Sequence, residues 1–325
     1  MELFEGLKKN IENKDLRIVF PESQDERILR AVARLEKEKI VRPILIGSRE
    51  EVLNKGKELD LDLGGIEIID PENYDGYEDL VNSFVERRKG KAAKDDAYKI
   101  LKNHNYFGTM LVYKKLADGM VSGAVGSTGD TVRPALQIVK TKPGVSRISG
   151  AMIMISPEGE KYVFSDIAIN ITLEEDALAE VAVETAKTAK MFGIDPKVAL
   201  LSFSSKGSAK SPEQEKVMNA AIKAKNMAPE FKIDGELQFD AAFVESVGVK
   251  KAPGSEVAGK ANVFIFPSLE AGNIGYKIAQ RLGKFEAIGP ILQGLAAPIS
   301  DLSRGCNEED IYKLTIITAN QAIND

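Results

Sequence analysis

Residues 16–47 read LRIVFPESQDERILRAVARLEKEKIVRPILIG. Leu16 to Phe20 is an apolar run of strand length, stopped by Pro21. Ile28, Val32 and Leu35 then recur at i, i+4 and i+7, the spacing of a helix face. Pro43 to Gly47 is a second apolar run with the length of a buried strand. The alternation continues past it: Ser48-Arg49-Glu50-Glu51 has the form of a capping box opening a helix, and Ile66 to Ile69 is another short strand. Strand and helix in strict turn predict parallel β-α-β units and an α/β fold. Residues 1–13, ahead of this stretch, read as a short amphipathic helix.

Outward from there, residues 71–104 are polar and mostly helical in pattern, and carry Glu86-Arg87-Arg88-Lys89-Gly90-Lys91, a local basic cluster. By charge alone it reads as a solvated helix face. Residues 117–134 run from a strand into a loop with Gly123, Gly126 and Gly129, the hydroxyls of Ser122, Ser127, Thr128 and Thr131, and Arg133 at its end. Small residues let a backbone approach an anion, and hydroxyls and N–H groups donate to it. The loop matches neither a Walker A motif nor a dinucleotide fingerprint.

A domain boundary is expected near Thr141-Lys142-Pro143-Gly144, after which the α/β pattern restarts. Ala151 to Ile155 and Tyr162 to Phe164 read as strands around a Pro-Glu-Gly-Glu turn. Thr172-Leu173-Glu174-Glu175 has capping-box form ahead of a long helix. Val198 to Phe203 reads as a central strand, and Ser211-Pro212-Glu213-Gln214 as a helix start with proline at the first helical position. Further strands are expected at 233–238 and 263–266. Residues 267–277 then follow a strand and open a helix, the usual ligand position in an open α/β sheet. Asn273, Tyr276 and Lys277 are its polar candidates, against the alternative of a helix entry with a surface lysine.

Near the C-terminus, Leu302-Ser303-Arg304-Gly305-Cys306-Asn307-Glu308-Glu309-Asp310 precedes an amphipathic helix bearing Ile311, Leu314, Thr315, Thr318, Ala319 and Ala322 on one face. Asn307 is placed to cap that helix. Ser303 and Arg304 therefore sit just ahead of a helix N-terminus, where an anion is welcome, and arginine adds a fork that fits phosphate. Asp310 follows as a helix-capping partner or a general base.

Composition narrows the chemistry. At 325 residues the chain has the length of about two domains. Its net charge of −5 argues against a nucleic-acid binder. A single cysteine, Cys306, excludes an intrachain disulfide and a cysteine-rich metal site, and a single histidine, His104, argues against a histidine-based zinc site or a Ser-His-Asp triad. No apolar run approaches the ~18 residues of a membrane span, and the first residues lack a signal-peptide core, so a cytoplasmic protein is expected.

Three stretches carry a resemblance: 117–137 with its Asp-Thr-Val-Arg-Pro, 266–277 with Phe-Pro-Ser-Leu-Glu-Ala-Gly-Asn-Ile-Gly-Tyr-Lys, and 301–306 with Asp-Leu-Ser-Arg-Gly-Cys. Together they resemble the phosphate acetyltransferases (phosphotransacetylases) of the short, single-module type, from about residue 2 to residue 323. The resemblance implies interconversion of acetyl-CoA plus phosphate with acetyl phosphate plus CoA, and CoA as substrate rather than a permanently bound cofactor. It implies two α/β domains around a cleft, similar to the isocitrate and isopropylmalate dehydrogenase fold. Domain I would comprise 1–142 with a returning segment 294–325, and domain II 143–293, with homodimers formed through domain II. The family's catalytic Ser-Arg pair matches Ser303 and Arg304, its aspartate Asp310, and its Thr-x-Arg-Pro arginine Arg133. Its other arginine best matches Arg88 in Arg88-Lys89-Gly90-Lys91, with Arg87 the competing assignment.

A free thiol has a pKa of ~8.5, so attack by CoA on a carbonyl calls for a general base. With one histidine in the chain, a carboxylate, Asp310, takes that role. Arg304 and Ser303 would meet the phosphoryl group and the oxyanion, Arg133 and Arg88 phosphates, and Ser127 and Thr128 would donate to phosphate. Cys306 is expected to be a packing residue, giving direct transfer in a ternary complex and no acetyl-enzyme. The rival readings are a phosphate butyryltransferase, a metal-dependent decarboxylating dehydrogenase on the same fold, and a non-catalytic acyl-CoA-sensing module.

Overall fold

The computed structural model describes residues 2–324. In chain order the elements are α1 (Glu2–Ile11), β1 (Arg17–Phe20), α2 (Glu26–Lys37), β2 (Arg42–Ile46), α3 (Arg49–Glu58), β3 (Glu67–Ile69), α4 (Tyr77–Arg88), α5 (Lys94–Ile100), α6 (His104–Tyr113), β4 (Gly119–Ser122) and α7 (Thr128–Pro134). There follow β5 (Ser149–Ile155), β6 (Lys161–Ser165), α8 (Glu175–Met191), β7 (Lys197–Leu201), α9 (Pro212–Met227), β8 (Lys232–Leu237), α10 (Phe239–Phe243), α11 (Glu245–Lys251), β9 (Val263–Ile265), α12 (Leu269–Arg281) and β10 (Glu286–Gln293). The chain closes with β11 (Ile299–Asp301) and α13 (Glu308–Asn324). It divides into two compact units, one running to Lys142 and resuming at Leu295, the other Pro143–Gly294.

The first unit is built on a five-stranded sheet of order β11-β4-β1-β2-β3. Every pairing in it is parallel. Ile18, Val19 and Phe20 are fully buried, as strands of a parallel sheet covered on both faces must be. The apolar face of α2 (Ile28, Leu29, Val32, Leu35) is likewise withdrawn from water. α13 returns to this unit. Its Asn320 donates to the Leu7 carbonyl at 3.0 Å, and Thr318 shares a hydrogen bond with Ser300 at 2.7 Å.

The second unit holds a six-stranded sheet of order β10-β5-β6-β9-β7-β8. β5 pairs antiparallel with both β6 and β10, and the remaining pairs are parallel. Asp166, just after β6, accepts backbone N–H bonds from Gly150, Ala168, Ile169 and Asn170. α12 lies against this turn so closely that a Cβ on Gly272 would stand 2.2 Å from the Asp166 carbonyl oxygen. Gly272→Ala is therefore expected to cost about 1–3 kcal/mol, read as a lower denaturation midpoint.

Three expectations need correction. Ser48 stands at the N-cap of α3 but makes no capping bond through its side chain, and the Glu51 carboxylate that would complete the box accepts from Gln24. Thr172 does not cap α8. It is drawn into a bridge with Ser268, and the helix opens two residues later, after Glu174. β7 ends at Leu201, and Phe203 beyond it is 59% exposed. β10 was not anticipated. Gly289-Pro290 breaks its apolar run, and the sheet accommodates them as an irregularity between Ile288 and Ile291.

Candidate active site

In the first sheet the chain order runs from β1 through β2 to β3 on one side, and through β4 to β11 on the other. The reversal falls between β1 and β4. At such a point the loops leaving the strands' carboxyl ends diverge and open a crevice. The loops are 21–25 after β1, 123–127 after β4 and 302–307 after β11. A cavity of about 680 Å³ beside them is lined by Glu22, Asp25, His104, Asn105, Gly126 and Asp130, among others.

The glycine-rich loop does cradle an anion, and the anion is the chain's own. Glu22 Oε2 accepts from Gly123 N (2.9 Å) and Ala124 N (2.7 Å), and Oε1 from Val125 N (3.0 Å) and Gly126 N (2.9 Å). Gly123 has φ +106°, and a Cβ there would come within 2.5 Å of Asp301 Oδ1, so only glycine fits. Ser127 caps α7 in a reciprocal box with Asp130, its hydroxyl 2.8 Å from Oδ2. The hydroxyl predicted to donate to phosphate is thus engaged in holding the helix.

Arg27 joins this loop to the Ser-Arg loop. Its guanidinium donates to the carbonyls of Ala124 (2.8 Å), Arg304 (2.9 Å) and Cys306 (2.9 Å). It also pairs with Asp25 at 2.8 Å, which holds that carboxyl below the usual range. Ser303 Oγ accepts from Gly305 N at 3.2 Å, tightening the turn. Asn307 and Asp310 form a reciprocal cap: Asp310 N donates to Asn307 Oδ1 (2.9 Å) and Asn307 N to Asp310 Oδ2 (3.0 Å). Ser303, Arg304 and Asp310 are all exposed. Beneath them Asp301 is 2% exposed. Burial drives its carboxyl up, against the pull of the Thr128 and Thr131 hydroxyls. Asp301 Oδ1 and Thr131 Oγ1 are buried without a hydrogen bond.

Arg87 and Arg88, adjacent at the end of α4, have different surroundings. Arg87 donates to the carbonyls of Ile138 (2.6 Å) and Val139 (2.9 Å) and lies over the Tyr113 ring. The Arg88 side chain makes no hydrogen bond or ion pair among the described residues, and neither do the side chains of Arg133 and Arg304. Arg88 and Arg133 are both close enough to Tyr106 to counter the upward push of burial on its phenol. Arg87, Lys89, Arg88 and Lys91 together push the Lys140 ammonium down, so the basic cluster is a concentrated positive patch. Arg87→Ala is expected to lower the melting temperature with kcat retained. Arg88→Ala is expected to raise KM with stability retained.

Residues 2–319 match the phosphate acetyl/butaryl transferase family. The chain belongs to that family. It is 63% identical to a phosphate acetyltransferase of Bacillus subtilis (strain 168) over 322 residues, 99% of each chain. Its structure is similar to that of a phosphotransacetylase from Streptococcus pyogenes, with TM-score 0.98 and 57% identity, covering 100% of this chain and 99% of the other. A protein assigned as a 4-hydroxythreonine-4-phosphate dehydrogenase from Salmonella typhimurium matches with TM-score 0.55 and 13% identity over 95% of this chain and 99% of that one. That last likeness carries the fold alone, and agrees with the dehydrogenase-type α/β architecture expected for this family.

The second unit's candidates sit on α12, after the carboxyl end of β9. Asn273 Nδ2 donates to the Ile167 carbonyl at 3.1 Å, which spends it on the Asp166 turn. Tyr276 packs partly buried against the unit's core, and the Lys277 ammonium stands 5.1 Å from the centre of its ring. Cys306 is buried, and burial pushes its thiol up despite Arg27 nearby. That is the reverse of the depressed pKa an attacking cysteine needs. Cys306→Ala is expected to keep near-wild-type turnover in a thioester assay.

Glu22, Arg27 and Asp301 were not singled out from the sequence. Their partners lie far along the chain, 279 residues away for Arg27 and Cys306. The available signal was an acidic residue closing an apolar strand, as Asp301 does at Ile299-Ser300-Asp301.

Proposed function

We propose that this enzyme, a phosphate acetyltransferase, moves the acetyl group directly between CoA and phosphate within a ternary complex. Asp310 takes the proton of the CoA thiol. The thiolate sulfur attacks the carbonyl carbon of acetyl phosphate, forming the C–S bond. The C–O bond to the phosphoryl group then breaks and phosphate leaves. In the opposite direction a phosphate oxygen attacks the thioester and the departing sulfur recovers its proton from Asp310. Arg304 and Ser303 donate to the oxyanion and the phosphoryl group. Arg88 and Arg133 take up phosphates of the substrates, with Thr128 in support, and Lys277, exposed on α12, is a further substrate contact. Asn273 and Tyr276 then serve mainly to hold that helix.

The observation that carries this reading is the set of three unpaired guanidiniums, Arg88, Arg133 and Arg304. Most arginines of the first unit are matched to carboxylates or carbonyls, as Arg27, Arg30, Arg34 and Arg87 are. Arg88 and Arg133 both lie near Tyr106 and Arg304 follows β11, and unpaired guanidiniums are suited to multiply charged phosphates. Loss of thioester absorbance from acetyl-CoA should require phosphate. Acetyl-CoA that survives intact in the presence of phosphate would sink the reading, and faster loss with butyryl-CoA would move the specificity to the longer acyl chain.

A homodimer built through the second unit belongs to the same proposal. On α12 only Gly272 is buried. Ile274, Ile278 and Leu282 are 58%, 53% and 80% exposed along one stripe, continuing past the helix end. A second copy would cover such a stripe. The cytoplasm is the proposed location, and no described helix is long and apolar enough to cross a membrane.

A further inference from the structure

We infer that Glu22 is a positioning residue of the reaction, acting as a built-in anion that occupies the glycine loop and holds the Ser303-Arg304 loop in place. The inference rests on the acetyl-transfer reading above. Four consecutive backbone N–H groups, Gly123 to Gly126, converge on one carboxylate at 2.7–3.0 Å. Successive N–H groups pointing into one concavity form an anion-binding nest, the arrangement that elsewhere receives phosphate. Here Glu22 fills it, so phosphate is left to the guanidiniums.

The hold passes onward. The same loop presents the Ala124 carbonyl to Arg27, and Arg27 binds the carbonyls of Arg304 and Cys306. Glu22, from the connection between β1 and α2, grips the loop by its donors, and Arg27, in the first turn of α2, grips it by an acceptor. Gly123 adds a third constraint, since its backbone lies against Asp301 and Leu302 with no room for a Cβ. Leu302 N in turn donates to the Ser122 carbonyl at 2.7 Å. Loss of the Glu22 carboxylate would leave four donors pointing at nothing, and the loop would relax together with the turn that carries Ser303 and Arg304. A misplacement of about 1 Å at a reacting group costs on the order of 10²-fold in rate.

Three variants, Glu22→Ala, Glu22→Gln and Arg304→Ala, are assayed for kcat and KM in the full-length enzyme, with and without sodium formate, beside an active wild type. Activity of the wild type keeps a failure here separate from a failure of the acetyl-transfer reading. In Glu22→Ala, kcat is expected to fall by about 10²-fold. Formate should restore it saturably, because a small carboxylate enters the vacated nest. Glu22→Gln fills the space but turns an NH2 group toward two donors, so it should be slow and unresponsive to formate. Formate should do nothing for Arg304→Ala. A purely structural glutamate would not give saturable rescue of kcat. Wild-type kcat in Glu22→Ala, or a loss that formate leaves untouched, would overturn the inference. Should Glu22→Ala not fold, Glu22→Gln decides: slowed turnover at an unchanged melting temperature upholds it, and wild-type turnover overturns it.

Discussion

Asp310→Asn is expected to lower kcat by about 10²–10⁴-fold, the range for losing a positioned general base, while the enzyme stays folded. The substitution separates two roles that share one side chain. As the third residue of the capped helix, Asp310 accepts from Asn307 N and its own N–H donates to Asn307 Oδ1. An asparagine keeps an oxygen for the first bond and leaves the second untouched, so α13 should retain its cap. What it lacks is the capacity to take a proton from a thiol. Asp310→Ala removes the cap as well, at roughly 1 kcal/mol. If the residue were only a cap, Asn would be near wild type and Ala would show its loss in stability, not in turnover. Steady-state rates and melting temperatures of the two variants together decide between the roles.

The second large effect is expected at Arg304. Arg304→Ala should cost about 10²–10³-fold in kcat/KM, as removal of one donor to a developing oxyanion does. The structure makes this a clean substitution. The Arg304 backbone is fixed by Arg27 through the carbonyl oxygen, and Gly305 and Cys306 turn back onto Ser303, so replacing the side chain leaves the loop anchored. Arg304→Lys should recover little, because an ammonium cannot reproduce the two-pronged geometry that fits a phosphoryl group. Near-complete recovery by lysine would mean that the residue contributes charge alone.

The fold was legible where one physical signal dominated. Ile18-Val19-Phe20 and Ile44-Leu45-Ile46 are buried outright, and uninterrupted apolar runs of that length have few other destinations. Ser211 caps α9 with its hydroxyl 3.2 Å from Gln214 N, ahead of a proline at the first helical position, as the local sequence alone suggests. Legibility ended where a local pattern met a distant competitor. Glu51 is spaced to close a box on Ser48 but bonds Gln24, and Thr172 is claimed by Ser268. Neither competitor is a neighbour in sequence.

The candidate site divides along the same line. Ser303, Arg304 and Asp310 are contiguous with a helix start, so their relation could be read from spacing and the capped geometry follows it. The frame that supports them could not. Glu22 meets Gly123 across 101 positions, and nothing in the glycine loop's own sequence shows that its donors are taken by a glutamate of the same chain. The pair Arg87 and Arg88 is indistinguishable by spacing. What separates them is the carbonyls of Ile138 and Val139, which take up the first and leave the second free.

The central claim is that acetyl passes directly from one substrate to the other without resting on the protein. Exchange of labelled CoA into acetyl-CoA, measured with no phosphate present, tests it most directly. Direct transfer predicts no exchange until phosphate is added. Rapid exchange in the absence of phosphate would require an acetyl-enzyme, and would contradict the account.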